Sequence, residues 1–243
     1  EDCSTENINI TTRNSLTGPN LSGLVGSMYG TNSTNRAVIT RCSVKDVTIS
    51  LEGGLGKIGI GSIVGWAGSS GNGYGYSDIT RCKTTGLKVY MSGDLNAASV
   101  TGDIRLGGMV GKLEKDCKVT DCLLYESVSE YGKNYIGSNP NVNVNKTFCR
   151  NICMYVGGVV GRSVDQGTTS PGNKIVIDRC VAYCDFDFTG YKSATTGNLS
   201  KNNFVIGGVI GRLYNPYYIP KTLYYSGNGR EIQSRNAGYG RLL

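Results

Sequence analysis

Nine cysteines and no histidine bound the chemistry open to this chain of 243 residues. Without imidazole there is no Ser-His-Asp or Cys-His nucleophile, no histidine general base and no histidine-ligated metal. What remains is chemistry by carboxylates, lysine, arginine, tyrosine or Ca²⁺. One carboxylate pair fits such a role: Asp185 and Asp187 alternate with Phe186 and Phe188, so a strand places both acids on one side. The same alternation describes an amphipathic strand with a solvated acidic face, and that reading is preferred. The enzymatic alternative is a carbohydrate-active β-helix, a polysaccharide lyase or glycosidase.

The cysteines divide by position. Cys42, Cys82, Cys122 and Cys180 close four copies of one short motif, Ile39-Thr40-Arg41-Cys42, Ile79-Thr80-Arg81-Cys82, Val119-Thr120-Asp121-Cys122 and Ile177-Asp178-Arg179-Cys180. If the copies stack in register they form an internal ladder, about 4.8 Å per step, of small buried side chains within disulfide reach of one another. Cys3, Cys117, Cys149, Cys153 and Cys184 fall outside the motif and are expected to form disulfides that pin long loops, with connectivity open. The spacings lack the tight Cys-x-x-Cys knuckle of a zinc site, so neither metal nor cofactor is expected.

Sequons at Asn9, Asn20, Asn32, Asn145 and Asn198 are candidate N-glycosylation sites, and with the cysteines they point to an oxidising, secretory history. The net charge of +7 is spread singly along the chain, which argues against nucleic acid as a partner. No apolar run reaches the roughly 20 residues of a membrane span. Tyr214, Tyr217, Tyr218, Tyr224 and Tyr225 cluster near the end of the sequence, as a flat amphipathic surface for a sugar or protein or as a cover for a terminal edge. Gly71-Asn72-Gly73-Tyr74-Gly75-Tyr76 reads as a loop tip, since no Gly-Lys-Ser/Thr or helix pattern follows it.

Positioning these residues falls to a repeat. Leu21-Ser22-Gly23-Leu24-Val25-Gly26, Ile60-Gly61-Ser62-Ile63-Val64-Gly65, Leu106-Gly107-Gly108-Met109-Val110-Gly111, Val156-Gly157-Gly158-Val159-Val160-Gly161 and Ile206-Gly207-Gly208-Val209-Ile210-Gly211 share one pattern: apolar, two small, two apolar, glycine. The Cys motif follows the first four boxes. A strand-like alternation comes next, clearest in Val47-Thr48-Ile49-Ser50-Leu51 and Leu87-Lys88-Val89-Tyr90-Met91. Glycine is 36 of 243 residues, and at fixed places it permits positive φ or close backbone approach. These features predict an all-β fold, a parallel β-helix or β-solenoid of about five long repeats with loop insertions on one side. Three strands per repeat fit best, and one or two coils per repeat both remain open. The chain reads as a single repeat domain, 1–243, with repeats near 20–59, 60–104, 105–154, 155–203 and 204–243 and an N-terminal cap at 1–19. The fifth copy breaks off after Gly211 and has no Cys.

The run Gly23-Leu24-Val25-Gly26, followed by the Cys motif and the alternating strand to Leu51, resembles the GLUG repeat of bacterial surface adhesins and of large immunoglobulin-A-cleaving metallopeptidases. The resemblance covers roughly residues 20–225 and departs from the family's shorter copies in its long insertions and extra cysteines. It implies an extracellular spacer or adhesive stalk. The expected function is thus a secreted or cell-surface structural protein, not an enzyme, that presents loops to an extracellular protein or glycan. A polymerising scaffold or filament subunit, through self-association, is a further alternative.

Overall fold

Strands form where the sequence alternates. Val44, Val47, Ile49 and Leu51 are buried, while Thr48 and Ser50 between them are half-exposed, the period of two that a strand with one core face requires. The computed structural model describes residues 1–13, 16–53, 55–68, 75–93, 102–114, 116–126, 133–147, 152–164, 175–192, 204–212 and 223–226. Every regular element among them is a strand, and the strand pairings are parallel. The chain is an all-β parallel solenoid, as its sequence predicts.

Four main sheets run along it. Sheet I stacks Asn20–Leu21, Gly59–Ile60, Gly102–Gly107, Ile152–Gly157 and Phe204–Gly207. Sheet II stacks Val25–Met28, Val64–Ala67, Val110–Glu114, Val160–Val164 and Ile210–Arg212. Sheet III holds Ala37–Thr40, Ser77–Thr80, Lys118–Thr120 and Val176–Asp178. Sheet IV, the longest, begins with Ser4–Thr12, Ser43–Leu51 and Lys83–Met91. It continues through Leu123–Leu124 with Tyr135–Ser138, then Cys180–Tyr183 with Asp185–Asp187, and ends on Leu223–Ser226. Ile79 pairs directly with both Ile39 and Val119. Each repeat is therefore one coil, with four sides where three were expected, because the glycine box is a corner that joins two strands.

Close approach, not positive φ, explains the box glycines. A Cβ on Gly161 would lie 2.7 Å from the Leu106 nitrogen and 2.8 Å from the Gly111 oxygen, and one on Gly65 would lie 2.7 Å from the Gly26 oxygen. Positive φ recurs instead at the corner from sheet III to sheet IV. Arg41, Arg81, Asp121 and Arg179 have φ of 56, 55, 56 and 47°. A polar side chain there faces water, and the one-residue corner turns the chain into the Cys position.

Insertions leave at more than one side. One set joins sheet II to sheet III, as residues 29–36 do, and another joins sheet IV to the next coil, where Leu16–Thr17 pairs with Leu55–Gly56 and Lys146–Thr147 with Tyr191–Lys192. A third interrupts sheet IV between Leu124 and Tyr135. The segment expected as an N-terminal cap is itself built as a coil side: Ser4 pairs with Ser43 and Thr12 with Leu51. Asp2 donates its amide to Thr40 and has φ of 54°, the conformation of Arg41 one coil later. The fifth copy also reaches sheet IV, where Leu223 pairs with Cys180 and so takes the Cys position.

The core is a set of apolar columns, such as Ile10, Ile49, Val89, Ile136 and Phe186 in successive strands of sheet IV. One column contains a polar exception. Asn134 is fully buried in the row of Val47, Leu87 and Cys184. Its Oδ1 accepts from the Leu87 amide at 2.9 Å, and its Nδ2 donates to the carbonyls of Tyr125 at 2.8 Å and Tyr183 at 2.9 Å. The side chain thus replaces the ladder hydrogen bonds that the chain forfeits where it leaves sheet IV.

Candidate functional site

Alternation fills the inner face of sheet IV with aliphatic residues and leaves its outer face to polar and aromatic ones. Two outer columns result. The first runs Asn9, Thr48, Lys88, Tyr135, Asp185, and the second runs Thr11, Ser50, Tyr90, Gly137, Asp187, each residue paired in register with the next. The rings of Tyr90 and Tyr135 meet at 5.7 Å with a 57° tilt, a favourable edge-type contact. Burial, then the Asp187 charge, pushes the Tyr135 hydroxyl up to about 12, and burial raises that of Tyr90. Both phenols therefore remain neutral donors over the physiological range. Tyr135 Oη donates to the Ser138 carbonyl at 2.7 Å.

The structure does bring Asp185 and Asp187 to one side, as expected, and gives both local tasks. Asp187 Oδ1 accepts from the Thr189 amide at 2.9 Å and its hydroxyl at 2.6 Å, holding the turn that follows the strand. Asp185 lies 3.7 Å from Lys133 Nζ. Lys88, two column positions away, lies 3.8 Å from Asp46. The face is a mixed-charge aromatic strip along the coil axis.

A second polar set, missed by the sequence reading, lies between sheets I and II. The residue after each box's closing glycine forms a column of Ser27, Trp66, Lys112, Arg162 and Arg212. Facing it are Asn20, Gly59, Arg105 and Tyr155 in sheet I. The two rows join by contact: Asn20 donates to Ser27 Oγ at 2.9 Å, and the Arg162 and Arg212 guanidiniums lie 4.9 and 5.1 Å from the Tyr155 ring. Lys112 lies 4.2 Å from the Trp66 ring and pairs with Glu114, and Asp103 pairs with Arg105 and Arg162. Burial lowers the Arg105 and Lys112 pKa values. The signal was the Gly-x position itself, polar in four of the five boxes and tryptophan in the other. These charges pair with one another, largely shielded from solvent.

The thiols also differ from expectation. None of the eight described cysteines forms a disulfide, and Cys149 lies outside the described residues. Cys42, Cys82, Cys122 and Cys180 form the buried ladder that stacking in register predicts. Cys3 belongs to it as an exposed first rung, since the residues after Cys3 and Cys42 are paired. Cys117 and Cys184, expected in loops, are buried in core columns, the first beside Ser77 and the second beside Asn134. Cys153 is buried on sheet I, paired with Asp103. Small size and low polarity suit a thiol to these positions.

Of the sequons, Asn9, Asn32 and Asn145 are exposed, whereas Asn20 is half-buried and spends its amide on Ser27. Asn32 Oδ1 accepts from the Thr34 and Asn35 amides, which fixes an Asx turn. Tyr224 and Tyr225 stand in register with Val181 and Ala182, while Tyr214, Tyr217, Tyr218 and Asn198 lie outside the described residues. Among the described residues no three His, Cys, Asp or Glu side chains converge as a metal site. Comparison of the chain with family models, curated proteins and solved structures finds no match in any of the three.

Proposed function

We propose that the chain is a secreted or cell-surface structural module that binds an extended glycan or protein segment along the outer face of sheet IV and performs no chemistry on it. The observation that carries this reading is the register of the two outer columns, which places Lys88 and Tyr90, then Tyr135, then Asp185 on three successive strands about 4.8 Å apart. An extended ligand meets such a strip as many weak contacts in series, with aromatic rings as stacking surface and neutral phenols and charges as hydrogen-bond partners. The resemblance to GLUG repeats points the same way. Against a hydrolase or lyase, Asp187 is committed to its turn and no histidine is present.

Binding to a panel of acidic and neutral polysaccharides and extracellular matrix proteins, by calorimetry, tests the reading. Tyr90→Ala with Tyr135→Ala should weaken the interaction about 10- to 100-fold, the size of one or two interfacial aromatic contacts. Val38→Ala, on an exposed strand of sheet III, should leave it unchanged. Turnover of any polysaccharide, abolished by Asp185→Asn, would replace this reading by the enzymatic one. A second reading is filament formation through self-association of stacked parallel coils. Concentration-dependent filaments in electron micrographs would decide for it.

A further inference from the structure

The charges on the outer face of sheet IV change sign along the coil axis. Lys83–Met91 turns Lys88 and Tyr90 outward, with Lys83 at its exposed start, and contains no acid. The segments of the next strand, Leu123–Leu124 and Tyr135–Ser138, contain no charged residue and turn Tyr135 and Gly137 outward. After them Asp185–Asp187 turns both of its acids outward, and neither it nor Cys180–Tyr183 contains a base. Three successive strands therefore carry two cations, no charge and two anions. A face that is antisymmetric about its middle strand is complementary to a copy of itself turned end for end.

The register supplies the contacts. A two-fold axis along Tyr135–Ser138, in the plane between two facing sheets, reverses the order of the coils and leaves each column opposite itself. Lys88 then faces Asp185 of the second copy, and Asp185 faces the Lys88 of that copy. In the adjoining column Tyr90 faces Asp187, again in both directions. Tyr135 lies on the axis and meets its own counterpart, so aromatic rings occupy the centre and charge pairs the flanks, the usual anatomy of a protein interface. Facing sheets pack about 10 Å apart, a gap that a lysine and an aspartate side chain bridge together.

The side chains are placed for such exchange. Lys88, Tyr90, Tyr135, Asp185 and Asp187 are all half-exposed. Lys88 lies 3.8 Å from Asp46 and Asp185 lies 3.7 Å from Lys133, and an ammonium or a carboxylate serves more than one partner. Overlap of five strands of up to nine residues covers roughly 700 Å² per copy, close to the ~800 Å² per partner of a standard interface. We propose that the protein partner of sheet IV is a second copy of this chain, docked face to face and antiparallel as an isologous dimer. The proposal rests on the reading of that face as the binding surface and names its partner. Rods standing on two opposed surfaces overlap end for end, the orientation this pairing requires, so the contact serves adhesion between like surfaces.

Sedimentation equilibrium of the whole chain tests this. The expected result is a monomer–dimer equilibrium in the micromolar range that weakens as salt is raised. Lys88→Glu and Asp185→Lys each set like charges opposite one another at both symmetric contacts, and each should weaken the dimer at least about ten-fold. An equimolar mixture of the two single variants restores opposite charge at both contacts and should associate within about three-fold of the parent. Far-UV circular dichroism of each variant establishes that the coil is intact. A monomer at about 0.1 mM, a dimer indifferent to Lys88→Glu, a mixture no tighter than its components, or open-ended filaments would each overturn the dimer. Polysaccharide binding that Tyr90→Ala with Tyr135→Ala weakens, found alongside any of these, leaves the binding face standing. If that double variant alters neither self-association nor polysaccharide binding, the dimer and the binding face both fall.

Discussion

Replacing Asn134 by alanine should cost far more than its size suggests. The carboxamide serves three backbone groups, the Leu87 amide and the Tyr125 and Tyr183 carbonyls, all at 2.8–2.9 Å. It is fully buried in an apolar row, so these groups lose their partners without direct access to water. Each stranded buried group costs about 1–3 kcal/mol. A water entering the space left by the amide recovers part of this, which leaves an expected loss of about 3–5 kcal/mol for Asn134→Ala. Asn134→Leu separates hydrogen bonding from packing. It restores apolar volume beside Leu87 and Cys184 yet satisfies none of the three groups, and so should be at least as harmful as alanine. Urea unfolding followed by circular dichroism gives the total, and amide exchange at Leu87 gives the local effect, with protection there falling first. A leucine variant within 1 kcal/mol of the parent, with Leu87 still protected, would refute the assignment of Asn134 as the plug of sheet IV.

Two further outcomes follow from the corners and from the aromatic strip. Gly161→Ala should lose about 2–4 kcal/mol in urea unfolding, because its Cβ would meet backbone of Leu106 at 2.7 Å, whereas Gly18→Ala, with φ of 86° and nothing within 4 Å, should lose only about 1 kcal/mol from strain. Equal losses would show that conformation, and not crowding, selects the box glycines. Tyr135 should titrate near 12, against about 10 in the unfolded chain, by difference absorbance of the phenolate. Because its folded pKa lies above the unfolded one, its contribution to stability is complete below pH 10 and is lost as pH rises toward 12. A Tyr135→Phe variant should lose that dependence, and an unchanged alkaline stability profile in the variant would contradict the assignment.

The coil was legible because stacking makes every position repeat. The five glycine boxes and four Cys motifs mark the two tight corners, where a Cβ or a second residue would break the stack. The first strand is legible only in the short match of Asp2-Cys3-Ser4 to Arg41-Cys42-Ser43. The number of sides was hidden within the box, because two residues such as Gly108-Met109 suffice to turn a corner when glycines let the backbones touch. Cys117 and Cys184 misled for another reason. A thiol that fills a core column in place of a small aliphatic residue has no counterpart above or below it, so its repeat position disappears from the sequence. Asn134 was illegible altogether, since its role exists only where an insertion leaves the sheet and three distant backbone groups lose their partners.

Everything proposed here depends on coils that pair in parallel, one repeat to the next. Scalar couplings across hydrogen bonds, measured by NMR on isotopically labelled protein, test this most directly. Parallel coils give couplings from the Lys83 amide nitrogen to the Cys42 carbonyl carbon, from Leu123 to Cys82, and from Val181 to Cys122. Couplings that instead join residues across a local hairpin, or that skip a coil and link Cys42 to Leu123, would contradict it.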